Sequence, residues 1–208
     1  MQWLSITLFV LAAYLLGSLP SGYLIGRWVA DIDVRTVGSH NIGATNVARS
    51  LGTNVARSLG LKWGLLVLII DMGKGALPVT VALSLWSGEA ERTSLIVVLV
   101  ALAAFFGHLV SLFLRFRGGK GVATAFGIAL VLMPKAAFAA LVIFLVVTLL
   151  WRYVSLGSLT ALLTLPVWAV ATGYPSLYVG LSSVFAFCVA IRHRSNIRNL
   201  VQGKERKV

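Results

Sequence analysis

The chain has 208 residues, of which 59% are hydrophobic and 12% charged, against about 25% charged in ordinary soluble domains. A soluble fold of this size cannot hide that much apolar surface, so the long apolar runs face lipid and the chain reads as one membrane domain over 1–208. The net charge of +12 would suggest nucleic acid in a soluble chain. Here the cations fall between apolar runs, where topology and anionic lipid or substrate account for them, and no nucleic-acid partner is expected.

The first predicted span covers 3–26. It has no basic start and runs too long for the h-region of a cleaved signal peptide, so it is expected to stay in the membrane. GSHNIGATN (38–46) follows, with Arg49 four residues after Thr45 and so on the same helical face. Ser39, Asn41, Thr45 and Asn46 are small hydrogen-bonding side chains packed beside a membrane, which favours a site over a plain N-cap. TNVARSLG then occurs twice in tandem, at 45–52 and 53–60. Eight residues rotate a helix by roughly 80°, so both copies cannot occupy one site.

The second span, 61–86, contains Asp71 and Lys74 at i and i+3, read as a structural pair although intramembrane charges are functional suspects by default. After a third span at 93–114 comes RFRGGKG (115–121). It is not a Walker A loop. Gly118, Gly119 and Gly121 could aim amides at an anion, with Lys120 adding charge and the following helix offering its N-terminus; a positive-inside turn reads equally well. Met133-Pro134-Lys135 and Trp151-Arg152-Tyr153 divide 120–172 into three short apolar runs. The last span, 174–191, carries the only cysteine, Cys188, a small core residue with no nucleophilic role. In RHRSNIRNL (192–200), His193 and Asn196 can share one face, with Arg192 and Arg198 pointing elsewhere. His40, His108 and His193 have no metal-ligand spacing, and no metal is expected.

Seven spans therefore result, an all-α integral membrane protein. With the N-terminus outside and the C-terminus cytoplasmic, fifteen of the eighteen cations face the cytoplasm, against Arg92 and Lys135 outside and Lys74 within a span. All three glycine- and base-rich islands then meet the cytoplasm. Phosphate-binding islands at the ends of greasy helices suggest an enzyme that joins a polar phosphate to something apolar.

In order and spacing, the islands resemble the three signatures of the bacterial acyl-phosphate-dependent glycerol-3-phosphate acyltransferases, the PlsY family. DMGKG (71–75), GHLVSLF (107–113) and RYVSL (152–156) extend the likeness over essentially the whole chain. The resemblance implies acyl transfer from acyl phosphate to the sn-1 hydroxyl of glycerol 3-phosphate at the bacterial inner membrane, giving lysophosphatidic acid and phosphate without a cofactor. It maps the polar-substrate site, including the catalytic positions, to Ser39, Arg49, Lys120, His193 and Asn196. Asn41, Thr45, Asn46 and the loop of Gly118, Gly119 and Gly121 are implied partners of the acyl phosphate head, and Glu205 is implied to be structural. It further implies a partner that makes acyl phosphate. The expected mechanism is direct in-line attack, with a substrate phosphate oxygen as base. Ser111 stands where the family usually has proline, and the duplication leaves Arg49 and Arg57 as rivals, of which unbroken motif spacing favours Arg49. A transporter of an anion or phospholipid is the competing reading, weakened because the islands are one-sided.

Overall fold

The computed structural model describes residues 2–54, 57–86 and 90–207, with side chains over 3–52, 60–86 and 93–207. The described residues form helices and loops, with no strand. In chain order they are α1 (Gln2–Ser18), α2 (Ser21–Ala30), α3 (Ala44–Asn54), α4 (Arg57–Leu85), α5 (Ala90–Leu109), α6 (Val122–Leu132), α7 (Pro134–Trp151), α8 (Val154–Ala171), α9 (Ser176–Arg192) and α10 (Arg194–Val201). A 3-10 turn, Leu112–Leu114, follows α5.

Five segments are long and apolar enough to cross a bilayer: Trp3–Ala30, Gly60–Leu85, Thr93–Leu114, Pro134–Trp151 and Val154–Ala171. A sixth arises if α9 and α10, bent by 61°, count as one. α6 is apolar but has 11 residues, about 16 Å at helical rise. It is the seventh run of the sequence count, and by length alone it falls short of the roughly 30 Å hydrocarbon core. The two expected breaks have local causes. Pro134 opens α7 at its first position, where its missing N–H costs nothing. Arg152 closes α7 in the left-handed region at φ 63°, so the chain reverses into α8.

The first span is itself broken at Leu19-Pro20, between α1 and α2. Pro20 has no N–H to continue the helix, and carbonyls freed inside a membrane need protein donors. Ser111 Oγ donates to Ser18 O at 2.5 Å, and Lys74 Nζ donates to Leu19 O at 2.9 Å. Asp71 lies 2.9 Å from Lys74 and accepts from Ser21 Oγ at 2.5 Å. Both charged side chains are 3% exposed. The intramembrane pair thus clasps the broken helix to α4.

Close helix crossings use small residues. A Cβ at Gly17 of α1 would stand 2.1 Å from Ala104 O of α5, and one at Gly107 would stand 2.3 Å from Tyr14 O. The main core lies between α1, α4, α5, α6, α7, α8 and α9, with the Phe105 and Phe185 rings 4.5 Å apart within it. Outward faces remain apolar, Leu149 at 77% and Phe187 at 67% exposure among them, as lipid-facing surfaces require. A smaller cluster of Ile25, Val34, Val47, Leu51 and Val67 fixes α3 against α2 and α4. The first TNVARSLG copy lies in α3, while the described part of the second has 53–54 at the end of α3 and 57–60 at the start of α4. The helices meet where a Cβ at Gly60 would stand 2.3 Å from Ala48 O. The first copy is therefore displayed on α3, while the second lies partly outside the described residues.

Candidate active site

A cavity of about 600 Å³ opens between the loop before α3, the start of α6, the α7–α8 turn and the α9–α10 bend. Ser39, Asn41, Thr45, Asn46, Arg49, Lys120, Gly121, His193 and Asn196 all line it, joined by Asp71, Glu205, Lys204 and Arg206. Leu68, Phe144 and Val154 add an apolar wall. The three islands, far apart in sequence, share one recess with both a cationic and a greasy side.

The 38–46 loop is shaped from within. Gly38 and His40 take left-handed φ of 62° and 56°, and a Cβ at Gly38 would stand 2.1 Å from Asn46 Oδ1. Asn46 is buried, and its amide is spent on the loop. Nδ2 donates to the carbonyls of Val34, Asn41 and Val37, at 2.8, 2.9 and 3.2 Å, and Oδ1 accepts the Ser39 N–H at 2.8 Å. The expectation that Asn46 contacts the acyl phosphate head therefore gives way to one in which it holds the loop in shape. Ser39 Oγ has no partner among the described residues. Arg49 Nη2 lies 3.4 Å from each of the Arg206 and Lys207 carbonyls, so the C-terminal tail folds over it. Burial lowers the Arg49 pKa, a shift that Glu205 opposes.

The glycine loop divides. Gly118 N–H donates to Leu109 O at 3.2 Å and Gly119 N–H to His108 O at 3.0 Å. Neither residue lines the cavity, so the anion-binding role expected of them fails because their amides are already bonded. Gly121 does line it, at φ 83°, and opens α6, whose first residues Val122 and Ala123 also border the space. Helix N-terminal amides there can receive an anion. Arg192, expected to point elsewhere, instead donates to Gly119 O at 2.9 Å and Gly118 O at 2.5 Å. It clamps the loop. Arg115 and Arg117 leave the recess altogether and line a separate cavity.

Lys120 Nζ donates to Asn196 Oδ1 at 2.6 Å, and Asn196 Nδ2 donates to Glu205 Oε1 at 2.8 Å. Ser155 Oγ donates to the same carboxylate oxygen at 2.7 Å. Glu205 thus orders Asn196, which orders Lys120. Burial pushes the Lys120 ammonium down to about 8, against the pull of Glu205, with Arg192 and Arg49 adding to the fall. His193, 2% exposed, has Nδ1 2.9 Å from Val189 O. A carbonyl only accepts, so Nδ1 carries the proton and the neutral ring keeps Nε2 as an acceptor.

His108 borders the cavity beside Thr124, whose Oγ1 lies 3.2 Å from His108 Nδ1. All three histidines border this space. Even so, no group of three His, Cys, Asp or Glu among the described residues is placed to hold a metal. Arg57, the rival of Arg49, lies outside the described side chains. Arg192 and Ser155 join the site without a functional signature in the sequence. Arg192 adjoins His193 at a helix end, which is the one signal that could have marked it.

Residues 7–203 match the family model described as glycerol-3-phosphate acyltransferase. A glycerol-3-phosphate acyltransferase of Anaeromyxobacter sp. (strain K) is 46% identical over 204 residues, covering 97% of this chain and 96% of that one. That of Geotalea daltonii is 43% identical over 196 residues, covering 94% of each. Among solved structures, the chain resembles the crystal structure of PlsY (YgiH), an integral membrane glycerol 3-phosphate acyltransferase, in its glycerol 3-phosphate form. The TM-score is 0.87 at 35% identity, over 98% of this chain and 96% of that one.

Proposed function

This chain belongs to the glycerol-3-phosphate acyltransferase family, as a multi-pass membrane acyltransferase of the PlsY type, and we propose that it takes its acyl group from acyl phosphate. The sn-1 hydroxyl oxygen of glycerol 3-phosphate attacks the acyl carbonyl carbon. The bond from that carbon to the phosphate oxygen breaks, inorganic phosphate leaves, and lysophosphatidic acid forms. The hydroxyl proton passes to a substrate phosphate oxygen. Ser39, Arg49, Lys120, His193 and Asn196 hold glycerol 3-phosphate, and His193 Nε2 orients its hydroxyl. Asn41, Thr45, Gly121 and the first amides of α6 receive the acyl phosphate head and the developing oxyanion. Holding both reactants together replaces a bimolecular encounter by proximity.

One observation carries this reading: four cations (Arg49, Lys120, Lys204 and Arg206) and an apolar wall line the same cavity. Among the lining carboxylates, Asp71 is paired with Lys74 and Glu205 is engaged by Asn196 and Ser155. The recess therefore suits two phosphorylated molecules, one with a fatty tail. An acyl phosphate is already activated, so no enzyme nucleophile is needed.

The topology belongs to the same proposal. α6 acts as a short seventh span where the protein locally thins the bilayer. The N-terminus lies outside, and the C-terminus and cavity face the cytoplasm of a bacterial inner membrane, as the distribution of Lys and Arg supports. A separate enzyme supplies the acyl phosphate.

The test is purified protein with glycerol 3-phosphate and either acyl phosphate or acyl-CoA. Lysophosphatidic acid formed from acyl phosphate alone is expected. Turnover with acyl-CoA and none with acyl phosphate would reject the assigned donor.

A further inference from the structure

A second cavity, of about 480 Å³, is lined by Tyr23, Arg35, Phe113, Leu114, Arg115 and Arg117. It shares no lining residue with the first. It sits where the third span ends, on the side of the molecule that carries the glycine loop.

Its charge is distinctive. Arg35 is engaged by Asp33 through Nε–Oδ1 at 2.9 Å and Nη2–Oδ2 at 2.7 Å, and its guanidinium stacks over the Tyr23 ring at 4.6 Å. That contact holds the Asp33 carboxyl down to about 2, so this pair is a fixed, neutral wall. Arg115 and Arg117 are exposed and pair with no carboxylate among the described residues. The cavity thus keeps two uncompensated guanidiniums, the group best matched to phosphate.

The backbone places them there at a cost. Arg115 and Phe116 both adopt the left-handed region, at φ 51° and 63°, where residues with a Cβ are disfavoured and strain marks functional segments. Phe116 N–H donates to Ser111 O at 2.8 Å and Arg117 N–H to Leu114 O at 3.1 Å, and these bonds hold the turn. The turn leaves Phe113 54% and Phe116 59% exposed. Two basic groups beside two outward aromatic rings, at the end of a membrane-crossing helix, fit an amphiphile at the bilayer interface.

We propose that this cavity binds the headgroup phosphate of an anionic phospholipid of the surrounding leaflet, with Arg115 and Arg117 on the phosphate and Phe113 and Phe116 against the upper acyl chains. A soluble phosphate leaves the exposed aromatic pair without purpose. The site is separate from catalysis, so it ties the enzyme to anionic bilayer without competing for substrate.

Native mass spectrometry of the purified chain, with phosphatidylglycerol or phosphatidylcholine of equal chain length, tests this. Each arginine near an anionic surface gives about a fivefold preference, so the wild type should retain phosphatidylglycerol by roughly thirtyfold. Arg115→Gln/Arg117→Gln should abolish that preference, and Arg115→Lys/Arg117→Lys should keep most of it. An equal concentration of the free headgroup, glycerophosphoglycerol, should not displace the lipid. A photoactivatable phosphatidylglycerol on the wild type should cross-link within 113–117 or at Tyr23, a readout that needs no variant. Equal retention of the two lipids, preference surviving in the glutamine variant, displacement by the free headgroup, or cross-links confined to other segments would each overturn the proposal.

Discussion

Raising the pH through 8 should switch off substrate capture, because it discharges one ammonium. Lys120 is half-buried, donates to Asn196 Oδ1 at 2.6 Å, and is held down to about 8 chiefly by burial. A group with a depressed ammonium pKa is charged below that value and neutral above it. Each pH unit above 8 then cuts the charged fraction of the empty enzyme about tenfold, so kcat/KM for glycerol 3-phosphate should fall about tenfold per unit. The fall ends when the neutral form dominates binding. A hydrogen bond to a charged group contributes about 1.5–3 kcal/mol, so the total loss should be roughly 10- to 100-fold. Lys120→Arg, whose guanidinium stays charged throughout, should flatten this limb even if its geometry lowers the absolute rate. The assay is initial rate against glycerol 3-phosphate concentration from pH 6 to 10 at saturating acyl phosphate. A wild-type profile that stays flat to pH 9.5, or an identical fall in Lys120→Arg, would refute the reasoning.

Removing the loop clamp with Arg192→Gln should lower kcat/KM by at least about 100-fold, since two hydrogen bonds from a charged group to Gly118 O and Gly119 O are lost; Arg192→Lys should recover part of it in the same kinetic assay. Asp71→Asn leaves Lys74 buried without its counter-ion, at about 3–5 kcal/mol, and should sharply lower the melting temperature in detergent. Asp71→Asn/Lys74→Met should regain part of that loss. For the duplicated octapeptide, Arg49→Ala should abolish activity and Arg57→Ala should spare it; the reverse pattern would assign the site to the second copy.

The spans were legible because lipid imposes a coarse rule that long apolar runs obey, and because Pro134 and Arg152 interrupt those runs with residues that end helices. Pro20 carries the same signal within GSLPSGY (17–23), but the run around it is so apolar that it still counts as one span. Asp71 and Lys74, which satisfy that break, read as a pair within one helix. Their bonds to Ser21 and Leu19 reach the break between α1 and α2, some fifty residues away, and leave no local pattern. The site was legible as three islands, not as roles within them. A small polar side chain in a loop can serve a ligand or its own backbone, and Asn46 serves the backbone. The pattern of Gly118 and Gly119 suits an anion-binding loop and a plain turn equally, and the turn after α5 returns their amides to the Leu109 and His108 carbonyls. Alternation along RFR sends two arginines out of the recess while Lys120, three residues beyond Arg117, enters it. Only the fold decides that division.

The proposed transfer runs directly from acyl phosphate to the hydroxyl of glycerol 3-phosphate, with no acyl group resting on the protein. Intact-mass spectrometry of enzyme quenched during turnover with acyl phosphate and glycerol 3-phosphate tests it most directly. Unmodified protein is expected at every time point while lysophosphatidic acid accumulates. A transient species heavier by one acyl group, mapping to Ser39 or His193 and decaying at the rate of turnover, would contradict it.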